Sequence, residues 1–340
     1  MVLEDWPRAI DNNISQIAEE LQHGRIGFLF GAGMSIKSGG IPGQKLAFEL
    51  ILRGLYRHEA DKDKLDETLK GKIDAAASRH PLEAIASGIE REFTFKGSDL
   101  TDILKKVVFE GKEPQPHEGH TYLASILSRL NHPKLLFTTN WDMLIEDAIG
   151  NRAVSITNNS EIFRLAEILS NKIGVVHLHG TFDSDPLIKE IDLMSPDRPL
   201  FSLFLAELMT KSFVFIGYSL SDPNMRALYI KVNEILTKQR VNLGKTTYVV
   251  FPARDDVDCT LSAAVWDAPS RNAKYIPLGA DEFFKRLKEQ LETKGIKELK
   301  DELRKRLGVG ENELNDKIEE IKSVFPDLGT TEQVLVLCQA

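Results

Sequence analysis

Polar side chains of types that can do chemistry follow an apolar run in the segment LLFTTNWDMLIEDAI, residues 135–149. Asn140 and Asp142 stand where the apolar run gives way to helical spacing. Either residue alone suits a helix start, because its side chain can accept hydrogen bonds from the free backbone N–H groups there. One cap does not need both residues. The pair therefore indicates either a cap with a polar neighbour or the floor of a binding site.

The segment VVHLHGT, residues 175–181, supplies two histidines. Alternate side chains of a strand point to the same face, so His177 and His179 are predicted to share one. His179 is the last residue before Gly180 and is predicted to end its strand at the rim of the sheet. A histidine in that place can move a proton near neutral pH, whereas His177 is assigned a structural role.

A glycine-rich loop, GAGMSIKSGGIPG, occupies residues 31–43 after the short apolar run RIGFLF. Gly31 and Gly33 allow the backbone to approach a phosphate closely, and N–H groups at the next helix start can hold the anion. The dinucleotide-binding fingerprint fails, because Ile36 replaces its third glycine and Glu49 falls inside a predicted helix. A tight turn without a ligand explains the loop equally well.

The segment GYSLSDPN, residues 217–224, predicts a turn into a helix. Asp222 suits the cap of that helix, and Pro223 suits its first position. Gly217 and Ser219 precede the cap, so the helix start does not explain them. Both can approach a ribose or a phosphate.

Each of these segments follows a predicted strand, and strands alternate with helices along most of the chain. Strands are predicted near residues 25–30, 134–139, 153–157, 174–179, 213–218, 246–252 and 273–278. Helices are predicted near residues 8–23, 44–56, 141–149, 160–170, 199–211, 222–238 and 281–293. This alternation predicts an α/β fold, a Rossmann-like parallel sheet with helices on both faces. Ligands of such sheets bind beyond the carboxyl ends of the strands, so four polar strand ends together indicate a site.

Two stretches lack the alternation. Residues 57–120 are charged and helix-prone, and they predict a helical insert that is either a lid or a small subdomain. Residues 294–340 predict a helical C-terminal extension that either docks on the domain or meets a partner. We therefore expect a domain at 1–293, with its insert, followed by the extension.

Composition excludes several classes of protein. The 340 residues carry a net charge of −8, which argues against direct binding of nucleic acid through its phosphates. The two cysteines, Cys259 and Cys338, are too few for a disulfide framework or a four-cysteine zinc site. We therefore expect no metal and a reducing, cytoplasmic location. The N-terminus lacks a signal-peptide pattern, and no apolar stretch is long enough to span a membrane.

Taken in order, the four segments resemble the motifs of the sirtuin-like family. The loop at 31–35 followed by Ile41-Pro42 resembles the first motif of that family, and residues 139–142 resemble its nicotinamide-pocket motif. His179-Gly180 resembles the motif of its catalytic histidine, and residues 217–220 resemble its ribose-contacting motif. The resemblance implies the Rossmann-like fold that the alternation of elements predicts independently.

The chain departs from protein-deacylating sirtuins at two points. Its two cysteines cannot build their small zinc module, which has two cysteine pairs, and Gly43-Gln44-Lys45 occupies the place of their Asp-Phe-Arg. With Trp141 and the SDPN extension, the sequence is closer to the bacterial sirtuin-like proteins of anti-phage defence. Members of that branch hydrolyse NAD. The resemblance covers about residues 24–280.

The resemblance implies an enzyme that hydrolyses NAD, its substrate, to nicotinamide and ADP-ribose. It implies that Asn140 orients the ribose or the attacking water, that His179 is the general base, and that Asp142 binds the nicotinamide carboxamide. The other NAD contacts that it implies are Gly31, Ala32, Gly33, Ser35, Thr139, Gly217, Ser219 and Leu220.

By the same resemblance, the chain is the effector of an anti-phage system that depletes NAD. We expect it to form a homo-oligomer and to act with a HerA-type ATPase or an Argonaute-type protein. The alternatives are a regulatory subunit that binds NAD or ADP-ribose without turnover and an NAD-dependent protein deacylase. Asn140 together with His179 favours an enzyme, because a pure binder does not need that pair.

Overall fold

The computed structural model describes residues 6–55, 66–95, 100–109, 111–130, 134–168, 172–184, 199–218, 229–230, 232, 245–266 and 273–324. Within these residues the chain divides into two compact units. One unit contains the residues up to Ala18 together with those from Lys285 onward, and the other runs from Glu19 to Phe284. The predicted domain boundary at residue 293 stays a prediction. The sheet and all described site residues belong to the larger unit.

Seven strands of the described chain form one parallel sheet in the order β3-β4-β2-β1-β5-β6-β7. They are β1 (Ile26–Phe30), β2 (Lys134–Thr138), β3 (Ala153–Ile156), β4 (Ile173–His177), β5 (Ser212–Ile216), β6 (Thr247–Val250) and β7 (Ala273–Ile276). The predicted α/β class with a parallel sheet is confirmed. The chain continues from β1 to β2 on one side and reaches β5 on the other. Open sheets of this type bind ligands at such a point of reversal.

The central strands are mostly apolar, as expected for a parallel sheet that helices cover on both faces. Every residue of β1, β4, β5 and β6 is buried. Gly27 in β1 has a packing role, since a Cβ atom there would lie 2.5 Å from the ring of Phe213 on β5. The glycine therefore makes room for an aromatic core residue between the two strands.

Helices cover the sheet and form the insert. In chain order the described helices are α1 (Trp6–Gln22), α2 (Gly43–Leu55), α3 (Glu67–Arg79), α4 (Leu82–Phe95), α5 (Leu100–Val108), α6 (Glu118–Ser128), α7 (Leu144–Ile149), α8 (Leu165–Ile168), α9 (Pro199–Thr210), α10 (Asp256–Trp266), α11 (Ala280–Leu307) and α12 (Glu311–Val324). Local signals explain several of the ends. The Asp66 side chain accepts the N–H of Leu69 at the start of α3, and Gly308 follows α11 with a φ of 65°.

Some predicted bounds are wrong. The predicted helix at 281–293 and the first helix of the predicted extension form one continuous helix, α11. The predicted helix at 160–170 is a 3₁₀ segment, Asn159–Arg164, followed by the short α8. Most of the predicted helix at 222–238 lies outside the described residues. Periodicity located these elements but could not distinguish 3₁₀ from α geometry or detect a missing break.

The insert is helical over most of its described residues and packs on α2. Its buried apolar residues, which include Ala77, Ala86 and Leu104, share a core with Leu50 of α2. In the described part of the smaller unit, Leu303, Leu314 and Ile318 form a separate apolar cluster between α11 and α12. The insert and α2, the helix that follows β1 and the glycine-rich loop, therefore share one apolar core.

Candidate active site

Four neighbouring strands end in the polar segments. The adjacent strands β4, β2, β1 and β5 lead respectively into the segments that begin at Leu178, Thr139, Gly31 and Gly217. Because all four strands are parallel, their carboxyl ends lie at one edge of the sheet. The strand order therefore places the starts of the four segments at a single edge of the sheet, as predicted.

The glycine-rich loop packs backbone to backbone against the segment after β5. The N–H of Gly33 donates to the carbonyl of Gly217 at 2.9 Å, and the N–H of Gly31 donates to that of Ile216 at 3.0 Å. A Cβ atom on Gly33 would lie 2.5 Å from the Cα of Gly217, which itself has a φ of 60°. These glycines are therefore required by contact between the two loops, whether or not a phosphate binds there.

The same loop keeps one exposed side and one buried side. Ala32 and Gly33 are exposed, whereas Ser35 is buried. The loop forms two short 3₁₀ turns, Ala32–Met34 and Ile36–Ser38, before α2 begins. The exposed backbone of the first turn is the part that a ligand can reach, so the predicted contacts at Ala32 and Gly33 are accessible.

Asn140 joins the end of β2 to the glycine-rich loop. Its Nδ2 donates to the carbonyl of Gly31 at 3.1 Å and to the hydroxyl of Ser35 at 2.9 Å. Its backbone N–H donates to the Thr138 hydroxyl at 3.0 Å. Both Nδ2 hydrogens are thereby used. The Oδ1 atom is the remaining polar atom of this side chain, and it can only accept a hydrogen bond.

Asp142 acts both as a helix cap and as part of this network. Its Oδ1 accepts the N–H of Leu144 at 3.2 Å, at the start of α7. Its Oδ2 accepts the hydroxyl of Ser35 at 2.7 Å. Because Ser35 donates to Asp142, its oxygen is free to accept from Asn140, and the three side chains form a directed chain of hydrogen bonds. The bond to Leu144 supports a role at the helix start, and the interpretation of this segment as the floor of a binding site stays a prediction.

Burial raises the pKa of the Asp142 carboxyl above its ordinary value. The hydrogen bonds from Ser35 and the Leu144 N–H and the nearby His177 oppose that rise, while Glu146 adds to it. Specific donors thus favour the charged form of this carboxyl in an environment that disfavours the charge. Titratable groups under such opposing influences occur often at functional sites.

The first histidine of VVHLHGT contacts Asn140. Nδ1 of His177 lies 3.0 Å from the backbone oxygen of Asn140, and its Nε2 lies 2.7 Å from Oε1 of Glu146. Strand β4 ends at His177, so the predicted strand end at residue 179 is wrong by two residues. The two histidines therefore do not share a strand face, because His179 already lies in the following turn.

His179 is buried in that turn, directly before Gly180, which has a φ of 69°. The turn is tied to the Asn140 segment by two backbone bonds. The N–H of Leu178 donates to the carbonyl of Thr138 at 2.8 Å, and that of Phe182 donates to the carbonyl of Trp141 at 3.1 Å. These bonds bring the backbone of the His179 turn alongside the segment that carries Asn140.

The other predicted contacts have different placements. Thr139 uses its N–H and its hydroxyl to bond the carbonyl of Phe30, at 3.0 and 3.3 Å, and so pins the end of β2 to the end of β1. Gly217 supports the glycine-rich loop as described. Ser219 and Leu220 lie outside the described residues. The assignment of all predicted residues to an NAD site stays a prediction.

Trp141 connects the site to the helical insert. Its ring packs 5.8 Å from that of Phe182, and both rings pack against the apolar core that α2 shares with the insert. On the outside, Lys105 of α5 pairs with Asp183 at 2.8 Å. The insert core is therefore in contact with Trp141, the residue that follows Asn140.

Sequence reasoning missed a second group of polar residues beneath the glycine-rich loop. Nδ1 of His117 lies 3.0 Å from the backbone nitrogen of Gly119, and its Nε2 lies 2.7 Å from the carbonyl of Met34. Asp281 pairs with His117 and with Lys37 and accepts the N–H of Gly119 at 3.0 Å. The pattern HEGH near the end of the insert was a signal for histidines placed together. Nothing in the sequence linked it to Asp281.

Two features are absent from the described residues. No described helix is long and apolar enough to cross a membrane. Within the same residues, no group of three or more His, Cys, Asp or Glu side chains is arranged to hold a metal ion.

Comparison with known proteins finds a family that part of this chain resembles. The family model of the SIR2-like domain matches residues 134–269, which include the Asn140 and His179 segments. Over these residues the chain is similar to a SIR2-like domain, and the predicted resemblance to the sirtuin-like family is confirmed.

Two curated relatives are both named NAD(+) hydrolase ThsA. The protein from Enterococcus faecium is 28% identical over 147 residues, which are 41% of this chain and 30% of the relative. The protein from Cytobacillus dafuensis is 25% identical over 264 residues, 74% of this chain and 46% of the relative. The chain thus spans less than half of the length of these relatives. A solved chain from a study of the mechanism and regulation of Sir2 enzymes aligns over 82% of this chain and 97% of its own, with 16% identity and a TM-score of 0.40.

Proposed function

We propose that the chain binds NAD at the edge formed by β4, β2, β1 and β5 and hydrolyses it to nicotinamide and ADP-ribose. The observation that carries this proposal is the directed hydrogen-bond chain from Asn140 through Ser35 to Asp142, at the point where the sheet reverses its winding. The name NAD(+) hydrolase, shared by both relatives, supports the choice of substrate.

The chemistry requires little acid catalysis. Nicotinamide is bound to the ribose as a cation and leaves as a neutral molecule, so the leaving group needs no proton. The transition state is expected to resemble an oxocarbenium ion, as in glycoside hydrolysis. The protein must hold the ribose, orient the bond to be broken and present a water molecule.

Asn140 is suited to orient the ribose or the attacking water. Its amide hydrogens are fixed by Gly31 and Ser35, so its Oδ1 would accept a hydrogen bond from a ribose hydroxyl or from the attacking water. Such fixed orientation contributes to catalysis because less freedom is lost when the reactants meet. His179 would remove a proton from a ribose hydroxyl or water as the general base.

The other predicted residues have binding roles. Both oxygens of Asp142 accept one bond in the described network, and each has a further lone pair for the amide of the nicotinamide. The exposed backbone at Ala32 and Gly33 would face the pyrophosphate. The segment after Gly217 would border the adenosine end.

The test is release of nicotinamide from NAD by the purified chain. Asn140→Ala and His179→Ala should each lower turnover by about 10²–10⁴-fold, which is the usual contribution of a positioned catalytic group. The matched control is Asn158→Ala, since Asn158 caps the 3₁₀ segment after β3 and is not among the predicted site residues. An Asn140→Ala protein with wild-type turnover would refute the assignment.

The same assay separates the alternatives. NAD binding without nicotinamide release, in the chain alone and over a range of protein concentrations, would indicate a regulatory subunit. Nicotinamide release that depends on an acylated peptide would indicate a deacylase. A rate of release per protein molecule that rises with protein concentration would support the expected homo-oligomer.

We further propose that the chain is the NAD-depleting effector of an anti-phage system with a HerA-type ATPase or an Argonaute-type partner. This rests on the resemblance to the defence branch of the sirtuin-like family. Co-purification of such a partner with the tagged chain, and NAD loss in infected cells that Asn140→Ala abolishes, would support it. Infected cells that keep their NAD would contradict it.

A further inference from the structure

His177 and Glu146 form a buried titratable pair that the proposed reaction does not itself use. His177 is the last residue of β4, and Glu146 lies in the first turn of α7. Nε2 of His177 is 2.7 Å from Oε1 of Glu146, and their side chains are 0% and 8% exposed. The hydroxyl of Ser155 on β3 donates to the same carboxylate oxygen at 3.0 Å.

The surroundings of the ring define its protonation. Nδ1 faces the backbone oxygen of Asn140, which can only accept, so Nδ1 carries a proton. Nε2 faces a carboxylate, and a proton there makes the ring a cation in contact with an anion. Burial alone lowers the pKa of His177, but Glu146, the Asn140 carbonyl and Asp142 outweigh it and raise that pKa above its ordinary value.

Through this bond the ring holds the peptide group that follows Asn140. The N–H of Asn140 is held by Thr138 on the preceding side, and its carbonyl is held by His177 on the following side. A rotation of the backbone between these two points would move the side chain away from Gly31 and Ser35. The orientation of Oδ1 therefore depends on both backbone bonds.

Stability alone does not account for a charged pair in this place. Apolar residues of similar volume in place of a buried ion pair often leave stability unchanged or improved. A charged donor, however, makes a hydrogen bond about twice as strong as a neutral one. A cationic His177 thus holds the Asn140 carbonyl more firmly than a neutral ring would.

We propose that the His177–Glu146 ion pair is the device that positions Asn140 for catalysis. The proposal rests on the proposed hydrolysis of NAD. Both residues are positioning residues, since they act through the backbone of Asn140. Glu146 keeps His177 charged, and His177 keeps the Oδ1 atom of Asn140 aimed at the ribose or the water.

The decisive variant is Glu146→Gln, which preserves the size of the side chain and removes its charge. We expect kcat to fall at least about 10-fold while KM changes less than about threefold, because a displacement of about 1 Å can cost about 100-fold in rate. The matched control is Glu161→Gln. Glu161 also accepts bonds beside β3, from the N–H and hydroxyl of Thr157, and its variant should keep both constants. A folded Glu146→Gln protein with the wild-type kcat would overturn the proposal.

A milder variant covers the case in which Glu146→Gln does not fold. Ser155→Ala removes one donor to Glu146 without touching the ion pair. It should lower kcat by a few-fold and leave KM unchanged. An unchanged kcat in this variant would also count against the positioning role.

Hydrogen exchange separates this proposal from the proposed function. If the wild-type chain releases no nicotinamide, the proposed function fails, and exchange over residues 138–146 still tests the ion pair. Faster exchange of that segment in Glu146→Gln than in Glu161→Gln supports the positioning of Asn140. Equal exchange in the two variants overturns it.

Discussion

Two histidines hold the backbone of the candidate site, and their surroundings differ. His177 contacts the carbonyl of Asn140, and His117 contacts the carbonyl of Met34 in the glycine-rich loop. His177 and its partner Glu146 are almost fully buried, whereas the side chains of His117 and Asp281 are 12% and 13% exposed.

The partners of the two carboxylates differ as well. Asp281 also pairs with Lys37 and accepts a backbone N–H. In the described structure, His177 is the cation that contacts Glu146. The comparison indicates that the Asn140 side of the site depends on one sealed ion pair, and that the glycine-rich side depends on several weaker contacts that can replace one another.

Replacement of the two histidines by glutamine tests this difference most strongly. His177→Gln leaves the buried Glu146 without its cation, so the free energy of unfolding should fall by about 3–5 kcal/mol. His117→Gln should cost only about 1 kcal/mol, because Asp281 retains Lys37 and the Gly119 N–H. Denaturant unfolding of both variants measures these losses. Equal losses would show that the two clusters do not differ in the way their burial suggests.

The next effect concerns pH at the glycine-rich side. Burial, followed by the charge of the neighbouring His117, lowers the pKa of His120 to about 3, although Asp281 opposes the shift. His120 is protonated near pH 6.5 in the unfolded chain but only near pH 3 in the folded chain. The free energy of unfolding should therefore not depend on His120 above about pH 6.5. Below that pH it should fall by up to about 1.4 kcal/mol per pH unit because of this group.

Unfolding measured between pH 7 and pH 4 in the wild type and in His120→Gln checks this slope. The variant should lose part of the acid dependence. His80→Gln is the control, because His80 is exposed at the end of α3 and should leave the slope unchanged. The same slope in His120→Gln and in the wild type would mean that His120 does not limit acid stability.

A smaller effect separates the two carboxylates of the Asn140 side. Burial raises the pKa of Asp142, so its contribution to stability is present below the ordinary value of 3.8 and is lost as pH rises through the folded value. This contribution to stability is therefore reduced as the pH rises above 3.8. Asp142→Asn should increase the unfolding free energy by about 0.5–2 kcal/mol, as removal of a strained functional group often does.

Glu146→Gln should have the opposite sign, because it breaks a buried ion pair. Thermal unfolding of both variants at pH 7 measures the contrast. NAD turnover measured in parallel should fall in both. A lower unfolding free energy in Asp142→Asn would contradict this prediction and would indicate that Asp142, like Glu146, stabilises the fold.

The smallest effect is expected at the surface. Lys37 is 69% exposed where it pairs with Asp281, and a pair of this kind contributes well under about 1 kcal/mol. Lys37→Ala should leave unfolding almost unchanged in the presence of His117. In the His117→Gln background it should cost more, because Asp281 then loses both of these side-chain partners. A double-mutant cycle measures this coupling, and strictly additive losses would contradict the view that these contacts replace one another.

The strand positions that the sequence predicted correctly have local causes. Apolar runs followed by small polar residues located the strand ends, because a buried strand in a parallel sheet is apolar on both faces and its polar residues begin where it ends. Asn140 and Asp142 were identified in this way, and so was the glycine-rich loop. The end of β4 was misplaced by two residues, since Leu178 continues the apolar pattern into a turn.

The sequence by itself therefore determined that the chain forms alternating strands and helices and that several strands end in residues able to bind or react. Only the tertiary structure decided that β4, β2, β1 and β5 are neighbours, which brings those ends to one edge. It also decided that His177 contacts Asn140 and that Asp281 lies beside Gly119, 162 positions away. Local patterns carry the first kind of information because hydrogen bonding and burial act over a few residues. Strand order and contacts across the sheet depend on the packing of the whole chain.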